Sequence, residues 1–258
     1  MTYTPSCTAL TVAPDVTLYH TGPALDHGPL PAVFYFALSG QDSLCLDPYN
    51  QPVQFLSGQM LHVFSLTLPA HEAGLSPHQA LRVWADDLSK GIDSLQVCID
   101  QIQLALDFVI NQGFVDPKRV AIAGLSRGGL IAACAAAEEP RFRYLLAFAP
   151  LTKLALAKEF SLLKENPLVA SYDAEKKAEL LADRRVRLYI GNRDVRVSTE
   201  ACYAFAMALV EKAHEAHIRS APIELIISPS IGQMGHGTSP EIFRQGAHWL
   251  IECLIHHG

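Results

Sequence analysis

The stretch VAIAGLSRGGLIAACAAA, residues 120–137, decides the fold. An apolar run that predicts a buried strand stops at Gly124, and an alanine-rich run that predicts a helix begins near Arg127. The junction GLSRG fits G-x-S-x-G, in which a tight turn aims a serine hydroxyl away from the strand end. Glycines on both sides remove Cβ atoms that would collide in such a turn. The pattern predicts Ser126 as a nucleophile; the alternative is a helix-capping serine in a glycine-rich turn.

Further apolar runs of strand length occur along the chain, and helical patterns separate most of them. Strands that are apolar on both faces and alternate with helices indicate an α/β fold, with a mostly parallel central sheet covered by helices on both faces. Ligands bind beyond the carboxyl ends of such strands. The sequence predicts strands at 14–22, 31–38, 61–71, 143–150, 186–192 and 222–229, and a turn followed by a strand within 116–125. It predicts helices at 76–88, 92–113, 127–139, 198–218 and 239–255, helical pattern at about 152–182, and a loop with a short helix within 41–58.

Composition favours one enzyme-sized domain over residues 1–258. Half of the residues are hydrophobic, and the chain has no linker, low-complexity tract or internal repeat. The net charge of −6, without a basic block, argues against a nucleic-acid partner. No apolar run spans a bilayer, and the N-terminal residues lack a signal-peptide pattern. Six cysteines without a CxxC pair indicate buried free thiols, so the prediction is a cytoplasmic protein.

The segment DFVINQGFVDPKRVAIAGLSRGG, residues 107–129, resembles the α/β-hydrolase superfamily, and the resemblance extends from about Pro31 to Ile255. The segment is most similar to dienelactone-hydrolase-like and prolyl-oligopeptidase-like members. One departure is chemical: dienelactone hydrolases carry a cysteine nucleophile, whereas this chain has Ser126. The resemblance therefore implies ordinary acyl transfer rather than dienelactone chemistry.

A serine nucleophile needs a histidine to accept its proton and an acid to orient that histidine. The superfamily order implies an acid after the second strand beyond the serine and a histidine after the third. Asp194 follows the predicted strand 186–192, in a form that resembles the family's G-x-x-D-x-x-V. His236 lies between glycines in the loop 230–240. The alternatives are a turn aspartate and a surface-loop histidine.

Other acids and histidines fit these roles less well. Asp183 precedes its strand and would lie at the wrong end of the sheet. His214 and His217 have the i, i+3 spacing of metal ligands but lack a third ligand, so a solvated helix face is the better interpretation. The remaining histidines precede the serine or fall in or after the last helix: His20, His27, His62, His71, His78, His248, His256 and His257.

Two backbone N–H groups are expected to bind the oxyanion. The first belongs to Arg127, at the start of the helix that follows the serine. The resemblance implies a second donor in the loop ALSGQDS after the strand 31–38. By position, Ser39 and Gly40 replace the family's His-Gly, and Gln41 is the expected donor.

Residues 151–185 occupy the interval in which the superfamily inserts a lid. The segment combines scattered apolar residues with many charges. Two interpretations are open: short amphipathic helices over the pocket, or a crossover helix packed on the sheet. An open or half-covered pocket would suit a small or medium acyl group.

The sequence thus predicts a carboxylesterase-like serine hydrolase that cleaves esters or related acyl bonds of small molecules through an acyl-enzyme. Ser126, Asp194 and His236 are the predicted catalytic residues. Neither a cofactor nor a metal is expected, because the dinucleotide, P-loop and metal-ligand spacings are missing. A peptidase acting on short peptides and a non-catalytic binding protein are the alternatives. The sequence leaves the physiological substrate and the oligomeric state open.

Overall fold

The computed structural model describes residues 6–72 and 74–256. Their strands form one eight-stranded sheet in the order β1-β2-β4-β3-β5-β6-β7-β8. The β1–β2 and β2–β4 pairs are antiparallel, and the other pairs are parallel. The predicted mostly parallel sheet is confirmed. The strands are β1 (Thr8–Ala13), β2 (Val16–Thr21), β3 (Leu30–Phe36), β4 (His62–Ser65), β5 (Val115–Leu125), β6 (Phe142–Phe148), β7 (Arg185–Gly191) and β8 (Ile223–Ser228).

Helices cover both faces of the sheet, as the sequence predicts. One face carries α1, α2 and α9, and the other carries α3, α4, α5 and α8. The α-helices are α1 (Gly40–Cys45), α2 (Gln51–Leu56), α3 (Ala80–Ser89), α4 (Ser94–Asn111), α5 (Arg127–Glu138), α6 (Pro167–Ser171), α7 (Ala178–Leu181), α8 (Thr199–Glu215) and α9 (Pro240–Ile251). Short 3-10 turns lie at Leu25–His27, Pro77–Gln79, Leu154–Leu156, Lys158–Phe160, Ala174–Lys177 and Gln233–Gly235, and a π-turn at Glu252–His256.

The central strand β3 shows why this sheet needs two layers of helices. Ala32, Phe34 and Phe36 point into one core, while Val33 and Tyr35 point into the other, and all five are buried. Alternate side chains of a strand point to opposite faces, so a strand that is apolar throughout must be covered on both sides.

The spacing of apolar residues in 92–113 predicts a helix with one buried stripe, and α4 agrees with it except at one end. The members of this stripe are Ile92, Leu95, Ile99, Ile102, Leu106 and Val109. Leu95 through Val109 of the stripe are buried, but Ile92 is 54% exposed. Ile92 precedes the helix, because the Asp93 side chain accepts a hydrogen bond from the Gln96 N–H and caps the first turn. The helical period therefore does not apply at Ile92, and its assignment to the stripe is wrong.

Residues 151–185 fold into short helical turns rather than one long helix. Their buried side chains, among them Leu154, Phe160, Val169 and Leu181, belong to the core that α4 and α5 share. Leu162, by contrast, is 96% exposed. Most of the segment therefore packs on the sheet as a crossover connection.

The six cysteines are free thiols, and four of them are buried: Cys98, Cys134, Cys202 and Cys253. Within the described ranges, no helix is both long enough and apolar enough to cross a membrane.

A buried histidine pair joins β2 to β4. His20 Nε2 and His62 Nδ1 share a hydrogen bond of 2.9 Å. Among the described residues, nothing pairs with the buried His62 Nε2. Burial, and then the neighbouring His62, lower the pKa of His20 from 6.5 to about 4. The fold therefore holds this imidazole in its neutral form.

This pair predicts a loss of stability in mild acid. The folded-state pKa of His20 lies below its unfolded value, so the unfolded chain binds the proton more readily. We expect the free energy of unfolding to fall as pH decreases from about 6.5 to about 4, by about 2–3 kcal/mol for this residue. His20→Gln should flatten the decrease in urea titrations across that range. His71, with a pKa also lowered to about 4, remains in both proteins. The exposed His214→Gln control should keep the full slope, and an equal slope in His20→Gln would refute the assignment.

Candidate active site

Ser126 occupies the turn between β5 and α5 with an unusual backbone conformation. Its φ of 56° and ψ of −116° lie outside the regions that residues with a Cβ favour. A Cβ on Gly124 would stand 2.2 Å from the Gly128 carbonyl oxygen. A Cβ on Gly128 would stand 2.1 Å from the Phe36 carbonyl oxygen. The two glycines of the motif are therefore required by contacts between backbone segments, as the sequence pattern predicts.

Neighbouring backbone holds the turn in place. The Ser126 N–H donates to the Phe148 carbonyl at 2.9 Å. The Ser126 carbonyl accepts from the Gly129 N–H and the Leu151 N–H, both at 3.0 Å. Because β6 supplies Phe148 and the chain just beyond β6 supplies Leu151, the sheet itself fixes the serine backbone.

The structure brings together the three side chains that the sequence singles out. His236 Nε2 lies 2.9 Å from Ser126 Oγ. His236 Nδ1 lies 2.7 Å from Asp194 Oδ2. Both distances are those of hydrogen bonds, so one imidazole connects a hydroxyl to a carboxylate. The serine and the histidine are 110 residues apart in the chain.

The Asp194 carboxylate is buried and held by backbone donors. Its Oδ1 accepts from the Arg196 N–H at 2.9 Å and from the Val197 N–H at 3.1 Å. The Asp194 N–H donates to Thr199 Oγ1 at 3.0 Å, and that hydroxyl donates to the Gly191 carbonyl at 2.6 Å. These bonds offset the cost of burying the charge and leave Oδ2 aimed at the imidazole.

The loop that carries His236 folds back on the end of β7. Ile231 and Gly237 form a bridge, in which the Gly237 N–H donates to the Ile231 carbonyl at 2.8 Å. Gly235 has a φ of +73°, and a Cβ there would stand 2.2 Å from the Arg193 carbonyl oxygen. The two loops therefore pack tightly, which fixes the imidazole beside Asp194.

Two cavities meet at Ser126, and they share Ser126, Arg127, Arg196 and Met234. The larger cavity, about 390 Å³, reaches His236, and its further lining includes Ala37, Leu38, Tyr49, His78, Gln233, Thr238 and Phe243. The smaller cavity, about 130 Å³, does not reach His236, and its further lining is Leu81, Leu151, Leu156, Ala157, Lys158, Glu159, Val195 and Val197. Of residues 151–185, Leu151 and residues 156–159 line the smaller cavity, and none lines the larger one.

The structure does not bring Gln41 to either cavity. Helix α1 begins at Gly40, and the Ser39 side chain caps it by accepting a hydrogen bond from the Asp42 N–H. Gln41 therefore lies in the first turn of α1, where it is exposed. From this loop, Ala37 and Leu38 line the larger cavity instead. Both of their N–H groups donate to the buried Ser43 hydroxyl at 3.0 Å. Gln41 therefore lines neither cavity at the serine, and Leu38 of the same loop lines the larger one.

Most of the competing residues lie away from the serine, whereas His78 lines the larger cavity together with Ser126. Asp183 precedes β7, at the opposite end of the strand from Asp194, and pairs with Arg184. His214 and His217 are exposed at the end of α8. His248 is exposed on α9, whereas His257 lies outside the described residues.

Sequence reasoning missed several residues of the site. Arg196 and Val197 hold Asp194 through their N–H groups, and Thr199 anchors its backbone. Thr199 carries a weak signal, because a hydroxyl at the start of a helix commonly bonds to nearby backbone. The placement of Arg196 in both cavities depends on the loop conformation and has no signal in the sequence.

The sequence matches the model of the prolyl oligopeptidase family over residues 84–254, about two thirds of the chain. This match confirms the resemblance to α/β-hydrolase serine hydrolases. No curated protein matches the chain.

Solved structures share the fold at low sequence identity. TT1662 from Thermus thermophilus has a TM-score of 0.71 at 16% identity, over 97% of this chain and 98% of that chain. The sugar hydrolase YeeB from Lactococcus lactis has a TM-score of 0.64 at 14% identity, with 98% of both chains covered. The Pyrococcus horikoshii acylaminoacyl peptidase has a TM-score of 0.66 at 17% identity, over 97% of this chain and 42% of that chain. The chain therefore spans less than half of this longer peptidase.

The glycine contacts yield a prediction for stability. Gly128→Ala should lower the free energy of unfolding by at least about 2–3 kcal/mol, because its Cβ would overlap the Phe36 carbonyl and neither backbone can retreat alone. Gly91→Ala is the matched control: Gly91 has a φ of +74° but open space around it, so only about 1 kcal/mol is expected. Urea denaturation of both variants measures the difference. Equal losses would show that the close approach is not a constraint.

Proposed function

Since the chain belongs to the prolyl oligopeptidase family of α/β-hydrolase-fold serine hydrolases, we propose that it hydrolyses carboxylic esters or related acyl bonds through an acyl-enzyme. In this proposal Ser126 is the nucleophile, His236 is the general base and acid, and Asp194 orients the histidine. The observation that carries the proposal is the continuous hydrogen-bonded path from Ser126 Oγ through the imidazole to Asp194.

In the acylation step, Ser126 Oγ attacks the carbonyl carbon of the ester while His236 Nε2 takes the hydroxyl proton. A C–O bond forms and the carbonyl oxygen gains negative charge. When the tetrahedral intermediate collapses, the bond to the leaving group breaks and Nε2 returns the proton to the departing alcohol. The buried Asp194 carboxylate stabilises the transient imidazolium and keeps Nδ1 protonated.

Deacylation repeats these steps with water. His236 takes a proton from the water as its oxygen attacks the acyl carbon, and then gives that proton to Ser126 Oγ as the acyl bond breaks. The products are a carboxylic acid and an alcohol, and the enzyme returns to its starting state.

The developing oxyanion needs donors on the side of the larger cavity. The Arg127 N–H is the proposed first donor, because it lies in the first turn of α5 beside the serine. In this proposal the N–H of Leu38, which lines the larger cavity, replaces that of Gln41 as the second donor. The Leu38 N–H would be shared between Ser43 Oγ and the oxyanion. One such donor contributes about 3 kcal/mol to transition-state stabilisation.

The two cavities divide the substrate in this proposal. The leaving group must lie near His236, which protonates it, so it belongs in the larger cavity. The smaller cavity then holds the acyl chain, and its volume of about 130 Å³ suits a short chain.

A short-peptide peptidase is the second candidate, supported by the family match and by the peptidases among the structural neighbours. The catalytic residues would be the same, and only the leaving group would differ. Comparing p-nitrophenyl esters of increasing acyl length with aminoacyl p-nitroanilides separates the two. The proposal expects esters of short acyl chains to have the highest kcat/KM, and a preference for the anilides would replace esterase by peptidase.

Removing the nucleophile tests for catalysis itself. Ser126→Ala should reduce kcat by about 10⁴-fold or more without unfolding the chain, because it removes only the hydroxyl, whose one hydrogen-bond partner among the described residues is His236. The exposed Ser161→Ala serves as control and should retain wild-type rates. A well-folded wild type that hydrolyses neither esters nor anilides would favour the non-catalytic binding protein.

The role of the acid gives a second prediction. Asp194→Asn should lower kcat by about 10³–10⁴-fold while KM changes little, because the amide no longer holds the imidazole in the required tautomer. Asp183→Asn removes a carboxylate of the same chemistry from the opposite end of β7 and should leave kcat unchanged. If the Asp194→Asn protein retained more than about a tenth of wild-type kcat, the acid would have to be sought elsewhere.

A further inference from the structure

The side chain of Arg127 is the most unusual charge near the serine. Its Nη1 donates to the Pro77 carbonyl at 2.6 Å. Among the described residues this is the one hydrogen bond of the guanidinium, and no carboxylate forms an ion pair with it. A guanidinium carries five N–H donors. Most of its N–H donors therefore have no partner among the described residues, and Arg127 lines both cavities at the serine.

A second arginine makes the environment of Arg127 more positive. Arg196 lines the same two cavities and likewise has no ion pair within the described chain. Burial, and then the charge of Arg196, lower the pKa of Arg127 to about 10. The guanidinium thus remains cationic at neutral pH, at a cost that burial and repulsion both raise.

The nearby acids do not neutralise this charge. No aspartate or glutamate is among the lining residues of the larger cavity. The smaller cavity has one carboxylate, Glu159, and a third cation, Lys158. Asp194 is buried behind His236 and already bound to backbone N–H groups. The space beside Ser126 therefore has an excess of positive charge.

A partly buried cation without a protein partner is costly, and an anionic ligand removes that cost. Arg is also the side chain that binds a carboxylate in bidentate form. Building on the proposed ester hydrolysis, we propose that the substrate carries a carboxylate on its acyl side, and that the Arg127 guanidinium binds it. The preferred substrates are then half-esters of short dicarboxylic acids.

The acyl side follows from the two cavities. The smaller cavity is the one that does not reach His236, and it is lined by all three cations. Its volume of about 130 Å³ suits an acyl chain of a few carbons that ends in a carboxylate. Its apolar lining, including Leu151, Leu156 and Val197, would contact the methylene groups. Arg127 is thus proposed as a specificity-determining residue.

The test compares ethyl hydrogen glutarate with ethyl 4-carbamoylbutanoate, in which a neutral carboxamide replaces the carboxylate. Wild-type kcat/KM should favour the carboxylate by about 10- to 100-fold, the range for a charge-assisted hydrogen bond at a partly buried site. Arg127→Met should reduce this ratio to about 1, whereas Arg127→Lys should keep part of it because the charge remains. Arg82→Met, which removes an exposed arginine from α3, is the matched control and should preserve the ratio.

A binding measurement keeps the inference independent of turnover. In the Ser126→Ala background, calorimetry should show ethyl hydrogen glutarate binding about 10-fold or more tighter than the carboxamide, and Arg127→Met should abolish the difference. Equal affinities, or an unchanged ratio in Arg127→Met, would overturn the proposed recognition. A preference for butanoyloxyacetic acid over ethyl hydrogen glutarate would also overturn it, because butanoyloxyacetic acid carries its carboxylate on the leaving-group side. Tight binding without hydrolysis by wild type would instead overturn the proposed function and leave the recognition standing.

Discussion

The close approach of two backbone segments governs the whole site. Helix α5 lies against the carboxyl end of β3 so tightly that a Cβ on Gly128 would stand 2.1 Å from the Phe36 carbonyl oxygen. This contact holds Ser126 at a positive φ, and the serine hydroxyl consequently points away from the strand toward the loops. A larger residue at Gly128 would separate the helix from the sheet and turn the hydroxyl away from His236.

The order of strands in the sheet brings residues that are far apart in the sequence close together in space. Strands β5, β6, β7 and β8 are adjacent and parallel, so the loops that follow β5, β7 and β8 all meet at one edge. Those loops carry Ser126, Asp194 and His236. Backbone N–H groups stabilise the buried Asp194 carboxylate, and the packing of Gly235 on Arg193 fixes the imidazole. The proposed chemistry therefore depends on rigid main chain more than on side-chain packing.

Features set by short-range pattern could be predicted from the sequence. The strand–turn–helix at Ser126 follows from a few adjacent residues. So does the start of α9, where Ser239 precedes Pro240 and its side chain accepts a hydrogen bond from the Ile242 N–H. Edge strand β1 was not predicted, because it pairs with β2 alone and its apolar residues Leu10, Val12 and Ala13 are only partly buried against the core. The expectation for Gln41 came from its position in the loop alone, and the pattern did not show that helix α1 begins at Gly40. The meeting of Arg127 with Arg196 could not be predicted, since it depends on where two separate loops settle.

In the proposed mechanism Ser126, and no other serine, is made nucleophilic by its hydrogen bond to His236. The most direct measurement is peptide mapping by mass spectrometry after the folded protein reacts with a fluorophosphonate. We expect one adduct per chain, located on the peptide that contains Ser126, and a much slower reaction in His236→Gln. An adduct on a different serine, or none on folded wild-type protein, would contradict it.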